Sequence, residues 1–413
     1  MSRKRSTLLA WGLDGCPAIP VVLYILWTEM RATHANREKW NRKMATHEEW
    51  LGASDGPGRL IEDQCIQCGI CQKHCAFLRR YGDPKTIVQS LEGQPTSRIE
   101  NMAFECSLCG LCTSVCPKDL STGALSLDLR RELVSRGKGV YRAHNRLLSF
   151  ERRGSSARYA YHRVPQGCDT VFFPGCALAG TRSKKVLQLY ERLQGAIPRL
   201  GIILDCCTKP SHDLGRMEYF LQTFGRLCES LVRRGVTRVL TACPSCHDVF
   251  LRYGGDLGAQ TVYEALVERG LHPPQAVSGT VTIHDPCATR FVERVHQAVR
   301  GVVTRMGLTV REMAHQGRTT LCCGEGGAAH FIAPELPAEW AAARREESHG
   351  LPVVTYCAGC VGMLGRTLPM VHLIDLLFEP ERALKGKARV SRAPFTYVRR
   401  LQLKKRLKSL DRP

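Results

Sequence analysis

Few acidic residues and no long apolar segment set the first limits on this sequence. Its 413 residues hold 38 Asp and Glu against 59 Lys and Arg, which gives a formal charge of +21. The uninterrupted apolar stretch near the N-terminus, 21–28, is far shorter than the roughly 20 residues that cross a bilayer. A mean hydropathy of −0.19 argues against a polytopic membrane protein, and a hydrophobic share of 44% excludes a disordered chain.

The sequence also lacks the signatures of nucleic-acid-binding proteins, since it has no recognition-helix pattern, no RNP-type aromatic residues and no zinc-finger histidine spacing. The positive charge lies in peripheral segments instead. Residues 130–163 carry ten Lys and Arg against two Glu, and residues 381–413 carry twelve against one Glu and one Asp. We therefore expect no nucleic-acid partner, and we expect these segments to face an anionic membrane surface, an acidic partner or solvent.

The N-terminal extension, 1–57, begins with a basic run at 2–5 that is similar to the start of a signal peptide. It shows no small-residue cleavage site and no clean twin-arginine motif. The open interpretations are a helix that docks onto a partner or onto the chain's own core, a membrane-surface contact, and a true span or signal. Cysteine usage predicts a reducing, cytoplasmic location, with peripheral attachment to the inner face of the cell membrane as a further option.

Cysteine is plentiful, and its spacing indicates the class of protein. The 21 cysteines are an odd number in a chain too long for a small disulfide scaffold. Eight of them form two runs with the spacing C-x2-C-x2-C-x3-C, which are Cys65, Cys68, Cys71 and Cys75, then Cys106, Cys109, Cys112 and Cys116. Such a run wraps three thiolates around an iron–sulfur cube and sends the fourth to the other cluster, as in bacterial two-cluster ferredoxins.

This arrangement predicts two cubane [4Fe–4S] clusters. The first takes Cys65, Cys68, Cys71 and Cys116, and the second takes Cys106, Cys109, Cys112 and Cys75. Zinc fits less well because it usually takes two separated pairs of cysteines, and disulfides at these spacings would be strained. With helices predicted at 86–92 and 120–135, the region resembles the α-helical ferredoxin of succinate dehydrogenase iron–sulfur subunits.

Ten further cysteines form an array that occurs twice. Residues 171–176 correspond to 281–287, residues 202–207 to 320–323, and residues 239–246 to 353–360. The offsets between corresponding cysteines are 111, 116 and 114 residues. A nearly constant offset of this size predicts a duplicated domain. The two sets are Cys176, Cys206, Cys207, Cys243 and Cys246, then Cys287, Cys322, Cys323, Cys357 and Cys360.

Each of these cysteine groups follows a short aliphatic run, and helical patterns at 184–193, 216–234, 291–306 and 337–347 come after most of them. This order predicts an α/β fold with the cysteines at the carboxyl ends of neighbouring strands, where they converge on one crevice. Five thiolates exceed the needs of a zinc ion or an ordinary cubane. Adjacent cysteines would crowd one small ion, which favours a larger or distorted cluster with bridging thiolates.

The second array resembles the CCG domain of heterodisulfide reductase, including Gly324 after its cysteine pair, whereas Thr208 takes the glycine position in the first array. Ferredoxin followed by two CCG domains resembles the catalytic D-type subunit of that enzyme. The same order is similar to iron–sulfur subunits of glycolate, lactate and anaerobic glycerol-3-phosphate dehydrogenases. The resemblance implies an α/β fold with an α-helical two-cluster ferredoxin domain and two duplicated CCG domains.

For the cofactors, the resemblance implies one or two noncubane [4Fe–4S] clusters on the ten CCG cysteines, which would be both catalytic and metal-binding. Electrons would pass through the ferredoxin clusters to these sites, where a disulfide is reduced or thiols are oxidised. The alternative is an electron-transfer subunit of a quinone-linked flavin dehydrogenase. Partners would be a flavoprotein, a ferredoxin-type donor or a membrane cytochrome or quinone subunit, together with a small thiol or disulfide, in anaerobic metabolism.

Neither flavin nor NAD is expected on this chain, because the glycine-rich run 324–327 does not fit the dinucleotide pattern. Five polar residues lie beside the CCG cysteines in the sequence: His247, His284, Asp285, Glu325 and His330. They either donate protons to departing thiolates or serve as hydrogen-bonding and capping groups. The predicted organisation is an extension at 1–57, a ferredoxin domain at 58–135, a linker at 136–165, CCG domains at 166–275 and 276–380, and a tail at 381–413.

Overall fold

The computed structural model describes residues 56–91, 96–271 and 273–410. The predictions for the N-terminal extension therefore lie outside the described residues, apart from its last two positions. Among the residues that are described, no helix is both long and apolar enough to cross a membrane.

The ferredoxin region is entirely helical. Its helices are α1 (Pro57–Gln64), α2 (Ile70–Lys73), α3 (Ala76–Tyr81), α4 (Pro84–Gln89), α5 (Thr96–Glu105), α6 (Leu111–Val115) and α7 (Thr122–Ser135). Asp83 caps α4 by accepting from the backbone N–H groups of Lys85 and Thr86, and Ser121 caps α7 in the same way. Helices α4 and α7 confirm the two helices predicted around the second cysteine run.

A connecting segment leads into the first cysteine-rich repeat. It contains a 3-10 turn (Arg142–His144), helix α8 (Asn145–Gly154) and strand β1 (Tyr161–Arg163). The repeat itself consists of β2 (Thr170–Phe173), α9 (Cys176–Thr181), α10 (Ser183–Gln194), β3 (Gly201–Leu204), α11 (Lys209–Asp213), α12 (Met217–Arg233), β4 (Arg238–Thr241), α13 (Pro244–Tyr253), β5 (Gly258–Thr261) and α14 (Val262–Glu268).

The second repeat has the same plan, with 3-10 turns where the first repeat has the short helices α9 and α11. Its elements are β6 (Gly279–Ile283), a 3-10 turn (Cys287–Thr289), α15 (Glu293–Arg305), β7 (Leu308–Val310), 3-10 turns at Gly317–Thr319 and Gly326–Phe331, α16 (Leu336–Glu347), β8 (Val353–Thr355), α17 (Ala358–Leu364), β9 (Met370–His372) and α18 (Leu373–Phe378). Helices α19 (Pro380–Leu384) and α20 (Phe395–Ser409) complete the described chain.

Sheet topology confirms the duplication. The strand order is β1-β3-β2-β4-β5 in the first sheet and β7-β6-β8-β9 in the second. Strands β2 to β5 are paired in parallel, and the corresponding strands β6 to β9 are paired in the same order and direction. The first sheet alone gains β1, which pairs antiparallel with β3. The predicted α/β class with two duplicated CCG domains after a helical ferredoxin is therefore confirmed.

Most of the local predictions hold, and one is wrong. Helices α10, α12, α15 and α16 lie where helical patterns were predicted. Cys322 and Cys323, however, do not follow a strand: β7 ends at Val310, and a 3-10 turn at Gly317–Thr319 precedes the pair. The aliphatic run before this pair is too short and too close to the ferredoxin helices to extend the sheet, because Leu321 packs with Leu111 instead.

The two basic segments are built into the fold. Strand β1, within the segment predicted as a linker, completes one edge of the first sheet. Helix α20, within the segment predicted as a tail, buries Leu403 and Leu407 in the core that both repeats share. The same core contains Phe172 from the first sheet and Ile283 from the second. The positive charge of these segments is thus carried partly by packed structure.

Arg130 connects the ferredoxin region to both repeats. Its guanidinium is fully buried and donates to four backbone carbonyl oxygens. The acceptors are Ala103 and Cys106 in the ferredoxin region, Asp213 in the first repeat and Gly327 in the second, at 2.6–2.8 Å. Hydrogen bonds from a charged donor are stronger than neutral ones, so this side chain contributes to the stability of three regions together.

Candidate iron–sulfur centres

The first ferredoxin group lies near the protein surface. Burial raises the pKa of Cys71 to about 12, and the neighbouring thiols of Cys112, Cys116, Cys65 and Cys68 raise it further. All five cysteines line one cavity. Cys68 is exposed. Cys116 of the second run thus lies with the first three cysteines, which is the arrangement that crossed ligation requires.

The second ferredoxin group is deeper. Burial raises the pKa of Cys75, and the nearby Cys109, Cys106 and Cys112 raise it further. Cys75 of the first run therefore lies with the first three cysteines of the second run. Burial also raises the pKa of Cys106 to about 11.

The two runs share one backbone shape, which follows from their common sequence pattern. Gln67 and Leu108, at corresponding positions, have φ angles of 51° and 50°. Gly69 and Gly110 have φ angles of 71° and 69°. Left-handed residues at both positions curl each loop, so that three cysteines face inward.

The first CCG site is formed where strands of the first sheet end. Cys176 begins α9 after β2, Cys206 and Cys207 follow β3, and Cys243 and Cys246 flank the start of α13 after β4. The Sγ atoms of Cys176 and Cys206 are 3.8 Å apart, and those of Cys207 and Cys246 are 3.4 Å apart. The structure thus brings the predicted cysteines of the first array together.

The second CCG site has the same composition and a direct neighbour in the ferredoxin region. Cys322 lies beside Cys287, Cys323 and the ferredoxin cysteine Cys109, and these contacts raise its pKa. Contact with Cys322 is also the largest of the effects that lower the pKa of Cys109, to about 6. A second set of neighbours completes the site: Cys323 lies beside Cys360, and Cys360 beside Cys357.

The position after each cysteine pair has a positive φ in both repeats. Gly324 has a φ of 92°, and Thr208 has φ 53° and ψ 23°. Thr208 is fully buried, and its hydroxyl has no hydrogen-bond partner among the described residues. The first array therefore keeps a positive φ without glycine, which places a β-branched residue in a strained backbone conformation.

Glu325 lies near cysteines of both CCG sites. The residue is exposed, yet desolvation raises the pKa of its carboxyl group, and Cys323, Cys243 and Cys176 raise it further. A Cβ atom on Gly359 would collide with a carboxyl oxygen of Glu325, so the carboxylate lies against the turn between Cys357 and Cys360.

The other predicted proton donors are placed differently. His247 and His284 are fully buried; the His247 ring has no hydrogen-bond partner among the described residues, whereas the His284 ring contacts Cys323. Asp285 is buried and accepts from Arg300 and from the backbone N–H of Gly317. His330 is partly buried, and burial lowers its pKa. Of these residues, Glu325 is the one that faces both arrays.

Three cysteines lie outside every motif of the sequence. Cys168 is buried and donates to the carbonyl oxygen of Thr170, and Cys228 is buried in α12. Cys16 lies outside the described residues. The glycine-rich run 324–327 packs on the ferredoxin region: a Cβ on Gly326 would be 2.5 Å from the carbonyl oxygen of Ser107, and one on Gly327 would be 2.6 Å from that of Cys106.

The donor sets fit iron–sulfur clusters. Each group consists of thiols, most of them partly or fully buried, and the described cysteines form no disulfides. Among the described residues, no group of three or more His, Cys, Asp or Glu side chains could hold a single metal ion. The cysteines of the four groups would hold the clusters, which carry out one-electron transfer when bound.

Sequence reasoning did not identify the arginines beside these sites. Arg290 is buried and donates from Nε to the carbonyl oxygen of Cys109 at 2.9 Å and from Nη1 to that of Arg318 at 2.6 Å. Arg400, in the tail, donates to Gly154 beside the first CCG site. Arg290 follows Cys287 closely in the chain, which is a usable signal, whereas nothing in the sequence connects Arg400 with a site.

Comparison with known proteins agrees with this architecture. A family described as "4Fe-4S dicluster domain" matches residues 64–121. The CCG family, described as "Cysteine-rich domain", matches twice, at residues 170–250 and 281–365. The matched segments contain all eighteen cysteines of the four groups.

The relatives are distant but share most of the chain. The B-type subunit of fumarate reductase (CoM/CoB) from Methanothermobacter marburgensis is 26% identical, over 72% of this chain and 66% of the relative. The D-type subunit of dihydromethanophenazine:CoB–CoM heterodisulfide reductase from Methanosarcina mazei is 24% identical, over 67% and 81%. EtfAB:quinone oxidoreductase of Syntrophomonas wolfei is 22% identical, over 66% of this chain and 49% of the relative.

These relatives are oxidoreductases or subunits of them, and two are named as subunits of larger enzymes. Their similarity covers between 66% and 72% of this chain. With its dicluster domain and two cysteine-rich repeats, the chain belongs to the CCG-domain family of iron–sulfur oxidoreductases, as an electron-transfer subunit related to the D-type subunit of heterodisulfide reductase.

Proposed function

We propose that this chain is the catalytic subunit of a heterodisulfide-reductase-like enzyme, which reduces a small disulfide or, in reverse, oxidises two thiols. The observation that carries the proposal is the contact between helices α9 and α17, which begin at Cys176 of the first five-cysteine array and directly after Cys357 of the second. Two adjacent redox sites suit a substrate with two sulfur atoms.

The ferredoxin region provides the entry for electrons. Cys68 at the surface belongs to the outer group, and Cys109 of the inner group lies beside Cys322 of the second CCG site. Arg290 fixes the backbone of Cys109 against the second repeat. Short distances between neighbouring ligand sets are what a chain of one-electron carriers requires.

The proposed cofactors are two cubane [4Fe–4S] clusters in the ferredoxin region and one or two noncubane [4Fe–4S] clusters on the CCG cysteines, without flavin or NAD. When bound, these clusters supply electrons one at a time. In the overall reaction the S–S bond breaks, and two electrons from a redox partner and two protons from solvent convert the sulfurs into two thiols. The chain's own residues hold the clusters and place the two CCG sites next to each other.

The proposed electron partner is a flavoprotein, a ferredoxin-type donor or a membrane cytochrome or quinone subunit. The exposed side chains of Ile66 and Ile70 border the outer ferredoxin group and suit contact with such a partner. We place the protein in the cytoplasm, with the inner face of the membrane as the site of attachment when the partner is a membrane subunit.

Low-temperature EPR of anaerobically purified, oxidised protein tests the proposal. We expect a paramagnetic signal that appears when a thiol is added. The readout is the signal amplitude against thiol concentration, in protein shown to contain its full complement of iron. The matched control is Cys323→Ser, which removes a ligand at the second CCG site and leaves the ferredoxin groups intact.

The second candidate function is electron transfer alone, as the iron–sulfur subunit of a quinone-linked flavin dehydrogenase of the glycolate, lactate or glycerol-3-phosphate type. The similarity to a relative named EtfAB:quinone oxidoreductase favours it, as does the strained Thr208 in the first array. No response to any thiol in fully loaded protein, together with reduction of its clusters by a flavin dehydrogenase, would establish this alternative instead.

A further inference from the structure

Arg400 lies in helix α20, outside both cysteine-rich repeats, yet it is buried beside the first CCG site. Its side chain is 4% exposed, and its Nη2 donates to the carbonyl oxygen of Gly154 at 2.8 Å. A Cβ atom built on Gly154 would be 3.1 Å from Cβ of Cys206, 3.7 Å from Cβ of Cys176 and 3.5 Å from Nη1 of Arg400. The guanidinium and two cysteines of the first array therefore meet at one glycine.

Packing holds the arginine in this place. Helix α20 packs against α9, the helix that begins at Cys176. The approach is close: a Cβ atom on Gly180 in α9 would be 3.2 Å from Cβ of Thr396. Leu403 and Leu407, on the following turns of α20, are buried in the shared core. The position of Arg400 is thus set by a helix that is anchored on both sides of it.

The charge of Arg400 is not balanced by a carboxylate. Among the described residues, no Asp or Glu forms an ion pair with it, and its buried Nε has no hydrogen-bond partner. A buried cation without a counterion is costly, so the fold is expected to provide an anion at this place. A [4Fe–4S]2+ cluster on four thiolates carries a net charge of about −2 and meets this requirement.

We propose that Arg400 is a positioning residue of the first CCG site, where its buried charge balances the anionic cluster and raises that cluster's reduction potential. Reduction adds negative charge, so a nearby cation favours the reduced state. The inference rests on the proposed function only in requiring a cluster at this site.

The test compares Arg400→Gln with Arg399→Gln in the full chain, purified anaerobically. Arg399 is the neighbouring residue, is exposed, and donates to Gln402 on its own helix. Both variants remove one charge from α20, but only the first removes it from the site. The readouts are iron content and the midpoint potential of the first-site signal in EPR-monitored redox titrations. That signal is assigned by its loss in Cys207→Ser.

We expect Arg400→Gln to shift the first-site midpoint to lower potential, Arg400→Lys to retain most of the original value, and Arg399→Gln to leave it unchanged. An unchanged midpoint in Arg400→Gln, or an equal shift in Arg399→Gln, would overturn the proposal. If Arg400→Gln loses the cluster, iron content decides: Arg400→Lys at the full level supports the proposal, and loss of iron in Arg400→Lys as well contradicts it.

These readouts need no substrate, so they separate this inference from the proposed function. A protein whose EPR spectrum does not change with any thiol can still show the shift in midpoint potential. That result would support the role of Arg400 and reject disulfide reduction. The opposite result, a normal thiol response with no shift, would reject the role of Arg400 alone.

Discussion

Arg290 donates a hydrogen bond from Nε to the carbonyl oxygen of Cys109, and this 2.9 Å contact joins the second repeat to the inner ferredoxin group. The same guanidinium donates to the carbonyl oxygen of Arg318, and the ring of Phe291 covers Gly110. Cys109 in turn lies beside Cys322. Under the proposed function, we expect electron transfer between the ferredoxin region and the second CCG site to depend on this contact, which one buried arginine maintains.

Arg290→Gln is expected to slow reduction of the second CCG site while the ferredoxin clusters are still reduced at the normal rate. Loss of the charge-assisted bonds should also lower the free energy of unfolding by about 2–3 kcal/mol. Rapid freeze-quench EPR after mixing with dithionite measures both sets of clusters. The exposed Arg311→Gln serves as the charge-matched control, and equal kinetics in the two variants would show that the contact has no part in electron transfer.

Arg130→Leu is expected to destabilise the whole chain by about 3–5 kcal/mol, because it leaves four buried carbonyl oxygens in three regions without their donor. Anaerobic urea unfolding, followed by circular dichroism, measures the change. Arg136→Leu removes an exposed arginine of the same region and should cost no more than about 1 kcal/mol. A similar small loss for Arg130→Leu would mean that water replaces its bonds.

Gly359→Ala is expected to weaken the thiol response, because the new methyl group would collide with Glu325 and displace its carboxylate, which lies near cysteines of both CCG sites. We expect the thiol concentration that gives half of the maximal EPR signal to rise several-fold, while the iron content stays unchanged. Gly362→Ala is the matched control on the same helix, since a Cβ there meets nothing within 4 Å. It should raise stability by up to about 1 kcal/mol and leave the thiol response unchanged.

The buried side chain of His144 is expected to make the free energy of unfolding depend on pH. It is buried among Phe104, Tyr141 and Phe331, and burial lowers its pKa from 6.5 to about 4, with Arg130 and His330 as the charged neighbours. The pKa of His144 is lower in the folded protein than in the unfolded chain. Its contribution to the free energy of unfolding is therefore fully present above the unfolded pKa and is lost as the pH falls toward 4. The expected loss is about 2 kcal/mol between pH 7 and pH 5.

His144→Phe removes this titration and retains the aromatic packing. Urea unfolding of wild type and variant at pH 7 and pH 5 should give a smaller pH dependence for the variant. If both proteins lose the same free energy, the stability of this region is set by other groups.

The sequence predicted the α/β class, the duplication and the helices because these depend on local patterns and on spacing. The crossed grouping of Cys75 and Cys116 was also expected from spacing, and the structure places both near the anticipated neighbours. The absence of a strand before Cys322 was missed, since Leu321 is drawn into packing with the ferredoxin residue Leu111. That contact joins residues far apart in the chain, and local propensity contains no information about it.

The same limit applies to the arginines. Arg130, Arg290 and Arg400 do not stand out in a chain rich in basic residues, and their importance comes from burial beside backbone carbonyls that belong to other segments. Arg400 was assigned to a solvated or partner-facing tail because its segment has high positive charge. Leu403 and Leu407 are the buried hydrophobic residues of α20, and basic residues stand next to both of them in the sequence. The sequence pattern therefore did not identify this helix as part of the core.

The ferredoxin region comes early in the chain, but residues synthesised much later complete its packing. Ala333 and Leu336 belong to its hydrophobic cluster, and Trp340 donates to the carbonyl oxygen of His74 at 2.9 Å. During translation the cysteine runs therefore leave the ribosome well before their cover exists. Cluster insertion must either wait until the second repeat has been made or proceed on an open domain, which makes assembly of this protein dependent on protection of its nascent thiols from oxygen.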